Sequence, residues 1–253
     1  MSRTKKVQRG SGNPITKIVK FKPNTAVFQV YDKGTKEKEE VDSITMLILD
    51  ADRFSMTGYS SSHGTGYLSN FVYNSKKEEF KVGVYDNGSY KEVVTGFYQD
   101  IKKDIEDAHY TKNVFGIMED GNGGYDLVNL ELVGKASSAF FDWWSDNEDA
   151  AYEGTVTFSA SEEMYKYIQK TNKEEVVDTS KVKRIPTTYY HKLVIELGEA
   201  TDEANEAADE LDTKLQKYLN GDDSAPQAEA ATESTKPSAP EDAEVDEKED
   251  LPF

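Results

Sequence analysis

The sequence contains no cysteine, only three histidines and no long apolar run. The absence of cysteine excludes disulfide bonds, cysteine-ligated zinc, iron–sulfur clusters and thiol catalysis. Because no run of about 18 apolar residues occurs, no membrane-spanning helix is predicted. The first residues carry charge but no apolar segment follows them, so we expect no secretory signal and a cytoplasmic location.

Catalytic motifs are also missing. There is no phosphate-binding Gly-x4-Gly-Lys-Ser/Thr loop, no His-Glu-x-x-His and no Gly-x-Ser-x-Gly. His63, His109 and His191 lack metal-like spacing, and no cofactor or metal is predicted. Asp50 and Asp52, after an apolar strand, could hold Mg²⁺ in a nuclease, but a turn after a buried strand is the favoured interpretation. We therefore predict a protein that is not an enzyme.

Charge is distributed unevenly along the chain. The formal net charge is −18, from 30 Lys and Arg against 48 Asp and Glu. Residues 1–22 contain seven basic residues and no acid, whereas 221–253 contain 11 acids and two bases. The intervening 23–200 and 201–220 carry −12 and −4. The average charge argues against a nucleic-acid binder, but the basic N-terminal segment does not.

Composition also marks the domain boundaries. From Gly221 the chain is rich in Asp, Glu, Ala, Pro, Ser and Thr, and it has no aromatic residue before Phe253. Such a segment cannot bury enough apolar surface to offset the entropy of ordering, so it is predicted to be disordered. The predicted parts are a basic arm, a β-rich domain, a C-terminal helix and an acidic tail: 1–22, 23–198, 199–220 and 221–253.

The pattern of apolar residues predicts a mainly β, α+β protein. Short alternating runs and two turns, an Asn-Gly turn at 86–89 and a Gly-rich one at 120–124, predict several antiparallel strands and hairpins. Helical spacing predicts helices over 97–110, 136–147 and about 199–219. Strands, a helix and two more strands are the order of an OB barrel, so we expect an elaborated OB-fold-like antiparallel barrel with accessory helices. Another antiparallel barrel or a sandwich remains the alternative.

One segment combines aromatic residues with an almost complete lack of acid. Residues 52–77 contain Asp52 as their single acid, a Ser- and Gly-rich loop and several aromatic side chains. Aromatic faces that stack on bases, beside cations that contact phosphates, are typical of single-strand binding. The predicted DNA contacts here are Arg53, Tyr59, Tyr67, Tyr73, Lys76 and Lys77. The alternative is that these aromatics simply pack, since Phe71 on the same predicted face could mark the core side.

Two further groups of residues are predicted to contact DNA. On strand alternation, Tyr190 and Lys192 lie opposite the apolar face of their strand, near a cluster of basic residues. Basic side chains of the N-terminal arm can contact phosphates without sequence preference. The predicted contacts are Lys183, Arg184, Tyr190 and Lys192 in the first group and Lys5, Lys6, Arg9, Lys17, Lys20 and Lys22 in the second. The group Phe140, Phe141, Trp143 and Trp144 is interpreted as core.

The end of the tail resembles a known family. Asp250, Leu251, Pro252 and Phe253, behind an acidic Pro- and Ala-rich stretch, are similar to the C-terminal tip of bacterial and bacteriophage single-stranded DNA-binding proteins (SSB). The resemblance implies a core that coats single strands in replication and recombination. It also implies that these four residues bind replication and repair proteins, in a bacterial host cytoplasm if the protein is phage-encoded.

A second function class fits the acidity of the domain. An acidic interaction protein, such as a DNA mimic that occupies the nucleic-acid site of another protein, would also carry excess negative charge. The acid-free arm and the nearly acid-free aromatic segment oppose this alternative. The apolar stripe of the C-terminal helix either docks on the domain or pairs with a second subunit, so self-association stays open.

Overall fold

The computed structural model describes residues 13–86, 89–105, 107–168, 171, 173–179, 186 and 188–220. The described elements include twelve strands and three helices, and the expected mainly β, α+β class is confirmed. The strands are β1 (Lys17–Lys22), β2 (Val27–Asp32), β3 (Lys38–Val41), β4 (Ser43–Ser60), β5 (Thr65–Ser69), β6 (Phe80–Asp86), β7 (Ser89–Gly96), β8 (Ala108–Glu119), β9 (Tyr125–Val133), β10 (Thr155–Ile168), β11 (Lys173–Val176) and β12 (Tyr189–Gly198). The helices are α1 (Tyr98–Ile101), α2 (Gly134–Glu153) and α3 (Asp202–Leu219).

The 18-residue strand β4 divides the sheet into two branches. One edge of β4 pairs with β8 along most of its length. On the opposite edge its first five residues pair with β10, and its last three residues pair with β5. The main path runs β3-β2-β1-β9-β8-β4-β5-β6-β7, while β10 carries β11 and β12 as a side branch.

The sheet is open and mixed, which corrects the expected antiparallel barrel. Strand β1 pairs with the edge of β9 that the β8–β9 hairpin leaves free. The two strands run in the same direction, so this pairing is parallel. Among the described residues, the path ends at β3 and β7, and no pairing connects these two strands. The sheet therefore branches at β4 and does not close into a barrel.

The two faces of the sheet are covered differently. One face carries a core that includes Phe28, Val114 and Phe158 under α2, and it continues into a second cluster around Phe80 beneath the α1 region. As expected, Phe140 and Trp144 of α2 are buried in this core; Phe141 and Trp143 are partly buried. The opposite face is covered by α3 over part of its area only.

The C-terminal helix docks on the sheet. Thr201 caps its first turn by accepting a hydrogen bond from the Ala204 amide, at 3.2 Å. Ala208 and Leu215 are buried against Phe115 and its neighbours on β4, β8 and β9. The expected helix is therefore confirmed, and its apolar stripe faces this sheet.

Two elements differ from the expected ones. The helix expected over 97–110 is limited to α1, because Ile101 and Ile105 both turn into the core and Ala108 already pairs with Gly58 of β4. The turn expected at Asp50 and Asp52 is part of β4, where two irregularities in the pairing with β8 absorb the extra residues. In both segments, pairing with a distant strand produces a structure different from the one that the local sequence pattern predicts.

Candidate nucleic-acid interface

A row of residues crosses four neighbouring strands on the face that α3 covers only in part. Tyr59 of β4 is paired with Gly66 of β5, and Tyr85 of β6 is paired with Tyr90 of β7. One step beyond the Tyr67–Val84 pair, the register places Gly66 beside Tyr85. Directly paired residues point to the same face of a sheet, so the three tyrosines share one surface. We call Tyr59, Gly66, Tyr85 and Tyr90 the tyrosine row.

All three tyrosines of the row are accessible. Tyr59 is 61% exposed, Tyr85 is 54% exposed and Tyr90 is 44% exposed. The reverse face of the same strands carries the buried residues Val82 and Val84. The strands therefore alternate between a core side and a side that presents aromatic rings to solvent.

The Tyr90 ring lies over Gly83 of the neighbouring strand, and the Tyr85 ring is nearly perpendicular to it. A Cβ atom on Gly83 would come within 2.7 Å of the Tyr90 ring, so that ring covers the glycine. The Tyr90 hydroxyl donates to the Lys81 carbonyl at 3.2 Å, and the rings of Tyr85 and Tyr90 meet at 78°. Burial and the nearby Glu92 carboxylate raise the pKa of Tyr90 above its ordinary value.

The backbone around Tyr59 is fixed by a close approach between β4 and β8. Gly58 has a φ of 143°, and a Cβ there would lie 2.5 Å from the Asp107 carbonyl oxygen, so only glycine fits. In the turn that follows, the Ser60 and Ser62 hydroxyls each lie 2.9 Å from His63 Nδ1. These contacts hold the end of the strand that presents Tyr59.

A polar network continues the same face toward β9. The Asn113 amide donates to the Ser55 hydroxyl at 2.9 Å, and the Asn129 amide donates to Asn113 Oδ1 at 3.0 Å. Thr57 and Thr111 are hydrogen-bonded through their hydroxyls at 2.6 Å. Hydrogen bonding stabilises these polar side chains on the central strands.

Tyr67, predicted to stack on bases, is instead a core residue. It is 6% exposed and packs with Phe80 and Val84. The predicted common face of Tyr67, Phe71 and Tyr73 assumed one unbroken strand, but β5 ends at Ser69. Phe71 consequently packs on the α3 side of the sheet, and its neighbour Val72 packs on the other side.

Arg53, predicted to contact phosphate, is also enclosed. It is 3% exposed, and its Nε lies 3.4 Å from Asp50 Oδ2. Its guanidinium carbon lies 3.4 Å from the centre of the Tyr73 ring, and it donates hydrogen bonds to the Tyr73 hydroxyl and to Asn220 Oδ1. Tyr73 is half exposed, but Arg53 occupies one side of its ring. This group ties β4 to the segment after β5 and to the end of α3.

The predicted lysines lie in different settings. Lys17 forms an ion pair with Asp126 at 2.5 Å, and the exposed Lys20 forms one with Glu131 at 2.9 Å. Lys20 and Lys22 point to the same sheet face as the tyrosine row, because the register aligns β1, β9, β8 and β4. Lys22, Lys76 and Lys77 are exposed.

Tyr190 and Lys192 meet on the side branch, around a carboxylate. Glu174 of β11 accepts from the Tyr190 hydroxyl at 2.6 Å and pairs with Lys192 at 2.7 Å. Burial alone would raise the pKa of Glu174, but these two partners and Lys135 hold it below its usual value. Burial and the hydrogen bond to Glu174 raise the pKa of Tyr190. Both side chains are half-buried, less open than predicted.

Nine predicted residues fall outside the described part of the chain. They are Lys5, Lys6, Arg9, Lys183, Arg184, Asp250, Leu251, Pro252 and Phe253.

Sequence reasoning missed two tyrosines of the row. Tyr85 and Tyr90 flank the predicted turn at 86–89 symmetrically, and this symmetry places both residues on one face of the hairpin. The signal was present in the sequence, but the hairpin lies in a more acidic stretch than 52–77.

The geometry gives no support to a metal site at Asp50 and Asp52. Asp50 accepts from the Asp52 amide at 3.0 Å and faces Arg53, so its oxygens already have partners. Within the described ranges, no group of three or more His, Asp and Glu side chains could hold a metal ion.

No family model, curated protein or solved structure matches the chain. None of the helices in the described residues has the length and apolar character needed to cross a membrane.

Proposed function

We propose that the protein binds single-stranded DNA on the face that carries the tyrosine row. The observation that supports this most is three exposed tyrosines on adjoining strands of one sheet face. Base–aromatic stacking contributes about 1–3 kcal/mol per base and tolerates any sequence, because every base has a π-face. Coating and protecting single strands in replication or recombination is the role that fits such binding.

Cations on the same face support the proposal. Lys20, Lys22 and Lys81 lie on the side of the sheet that carries the tyrosine row, and all three are exposed. Neutralised phosphates release counterions, so affinity should fall with salt, by a slope of about −0.7 per phosphate for single strands. Because Lys20 is already paired with Glu131, its contribution is expected to be smaller than that of Lys22.

The acidic residues of the two long helices lie only partly on the opposite side of the sheet from the tyrosine row. Helix α2 carries five acids and one base, and it lies on the opposite side of the sheet. Helix α3 carries six acids and two bases on the same side as the tyrosine row, over the part of the sheet near Phe115. A strand on the tyrosine row would therefore pass close to the end of α3, where burial and the nearby Tyr85 raise the pKa of Tyr218.

The test is a titration with labelled oligo(dT), followed by fluorescence anisotropy at low and high salt. We expect saturable binding that weakens as salt increases. The control is a variant with Lys22→Ala and Lys81→Ala, in which the salt slope should become shallower. No binding at low salt would reject the proposal.

The acidic helix α3 beside the aromatic face favours one alternative, a DNA mimic that occupies a nucleic-acid site on another protein. A mimic would compete with DNA for that protein and would not itself bind oligo(dT). The same titration therefore separates the two functions.

The resemblance of the tail adds partners and a location to the proposal. Asp250, Leu251, Pro252 and Phe253 would recruit replication and recombination proteins, through the Phe253 ring and the carboxylate beside it. The bacterial cytoplasm would be the site of action. Self-association would be measured by sedimentation, with and without oligo(dT).

A further inference from the structure

The tyrosine row contains a gap at Gly66, and its neighbours stand on both sides of that gap. Tyr59 is the paired residue on β4, and Tyr85 lies beside Gly66 on β6. We propose that the space over Gly66 receives one base of a single strand, stacked between the Tyr59 and Tyr85 rings. This inference rests on the proposed function and adds to it a defined subsite.

The spacing of the strands that carry the two tyrosines suits one planar ring between them. Neighbouring strands lie about 4.8 Å apart, so β4 and β6 are separated by about 9.6 Å across β5. Aromatic carbon atoms stack at about 3.5–4.0 Å, so one ring between two others needs about 7–8 Å. Two stacked rings would need about 10.5–12 Å, which exceeds the gap.

The backbone does not require a glycine at position 66. Its φ is not among the positive values found at other glycines of the chain, so the residue has an ordinary strand conformation. A Cβ atom there would meet only the Gly58 carbonyl oxygen, at 3.5 Å, which is normal van der Waals contact. A larger side chain would therefore fit the strand and would project into the gap.

The nearby Gly83, on the same face, is covered by a side chain, whereas Gly66 is not. The Tyr90 ring already covers Gly83, with the nearest ring atom 2.5 Å from where a Cβ would be. No side chain lies within 4 Å of the same position on Gly66. The Tyr90 ring also contacts the Tyr85 ring, at nearly a right angle, and so supports it.

The charges around the gap indicate the direction of the phosphates. Lys81 lies four residues before Tyr85 on the same face of β6 and is exposed. On the other side, Asp107, the residue before β8, is next to Tyr59 and accepts from the Ser61 amide at 3.3 Å. The backbone of the strand should therefore pass on the Lys81 side, away from Asp107.

Substitution of Gly66 by valine tests the subsite without touching either tyrosine. Gly66→Val should weaken oligo(dT) binding about tenfold, and Gly66→Ala should weaken it less. Because the loss is one of stacking, it should be similar at low and high salt, unlike the effect of a lysine substitution. Photocrosslinking with a 5-iodouracil oligonucleotide should mark Tyr59 or Tyr85 in the wild type and lose that mark in Gly66→Val.

Matched variants show whether weaker binding by Gly66→Val comes from a filled subsite or from a disturbed fold. Tyr59→Phe and Tyr85→Phe keep both aromatic faces and should bind within about twofold of the wild type, whereas Tyr85→Leu should not. Thermal unfolding should show that Gly66→Val is folded. If the wild type binds and Gly66→Val binds equally well with the crosslink retained, the subsite is rejected. If the wild type does not bind, the proposed function itself is rejected.

Discussion

At the residue scale, Arg53 stabilises the fold from an enclosed position. It is held between Asp50 and the Tyr73 ring and reaches Asn220. Arg53→Ala would leave Asp50 buried without its cation and would remove the link to α3. Breaking a buried ion pair in this way costs about 3–5 kcal/mol. We expect the free energy of unfolding, measured by urea denaturation, to fall by about that amount.

Lys76→Ala is the matched control for Arg53→Ala. Lys76 is an exposed cation in the same connecting segment, and its substitution should change the unfolding free energy by less than about 0.5 kcal/mol. If Arg53→Ala were as stable as the wild type but bound oligo(dT) poorly, Arg53 would have the phosphate role that its sequence context predicts.

Two tyrosines of the β4–β5 hairpin should respond in opposite ways. Tyr67→Ala removes a buried ring and should reduce the unfolding free energy by about 3–5 kcal/mol. Tyr59→Ala removes an exposed ring, so it should leave stability nearly unchanged and weaken oligo(dT) binding by about fivefold or more. Denaturation and anisotropy on both variants check this contrast, and equal behaviour would contradict it.

The residue types of the candidate site could be predicted from the sequence. Whether each side chain faces solvent or the core could be predicted only in part. Tyr59 was placed correctly at the surface, since it lies in an acid-free, polar segment. Tyr67 was not, because its direction depends on where β5 ends. Arg53 is buried through contacts with Tyr73 and Asn220, which are 20 and 167 positions away.

At the scale of elements, the side branch is stabilised by an ion-pair cluster around Glu174. Hydrogen bonds from Lys192 and Tyr190 keep the pKa of Glu174 below its usual value near 4.5, against the effect of burial. A depressed carboxyl pKa stabilises the fold above the unfolded-state pKa, and this is lost as the pH falls through the folded-state pKa. Glu174→Gln should therefore destabilise the protein by about 1 kcal/mol at pH 7. The difference from the wild type should shrink below about pH 4.5.

Glu175→Gln is the control for this pH dependence. Glu175 is the adjacent residue of β11, and its pair with Lys166, at 3.1 Å, is more exposed. Exposed pairs contribute about 0–1 kcal/mol, so the substitution should have little effect at either pH. Urea denaturation of both variants at pH 7 and pH 3.5 measures the contrast. A constant effect of Glu174→Gln at both pH values would contradict it.

Local patterns predicted some elements well and failed where pairing overrides them. Helices α2 and α3 and the β8–β9 hairpin were expected close to their observed positions, because their periodicity and turn residues agree with their packing. The segment 97–110 has helical spacing, yet its last three residues belong to β8, where they pair with β4. A sequence does not show which distant strand will be its partner.

At the scale of the whole molecule, the tail leaves α3 next to the aromatic face. Asn220, the last described residue, is bonded to Arg53. The 33 residues that follow have a typical reach of roughly 30 Å if they are unfolded. Deletion of Leu251–Phe253 should abolish the capture of partner proteins and leave the affinity for oligo(dT) within about twofold. Pull-down and anisotropy on the same preparation measure both properties.

A variant that keeps the composition of the tail is the control for this deletion. Moving Phe253 about ten residues upstream preserves length and charge but removes the aromatic residue beside the terminal carboxylate. It should lose the same partners as the deletion. Loss of oligo(dT) binding in either variant would show that the tail is not an independent ligand.

The class of the fold could be predicted from the sequence, and its topology could not. Alternating apolar residues, turn signals and one basic and one acidic end indicate a β-rich domain with appended segments. The parallel pairing of β1 with β9 and the branch at β4 depend on contacts between residues about 110 positions apart. No local pattern encodes such pairings.

The branching of the sheet at β4 also has consequences for the folding rate of the protein and for local unfolding of its strands. Strand β4 is paired on both edges with strands that follow it in the sequence, by up to about 110 residues, so its pairing must await most of the chain. Folding should accordingly be slow, as it is for other proteins with many non-local contacts. In native-state hydrogen exchange, the amides at the centre of β4 should exchange last, and those of the edge strand β11 should exchange first.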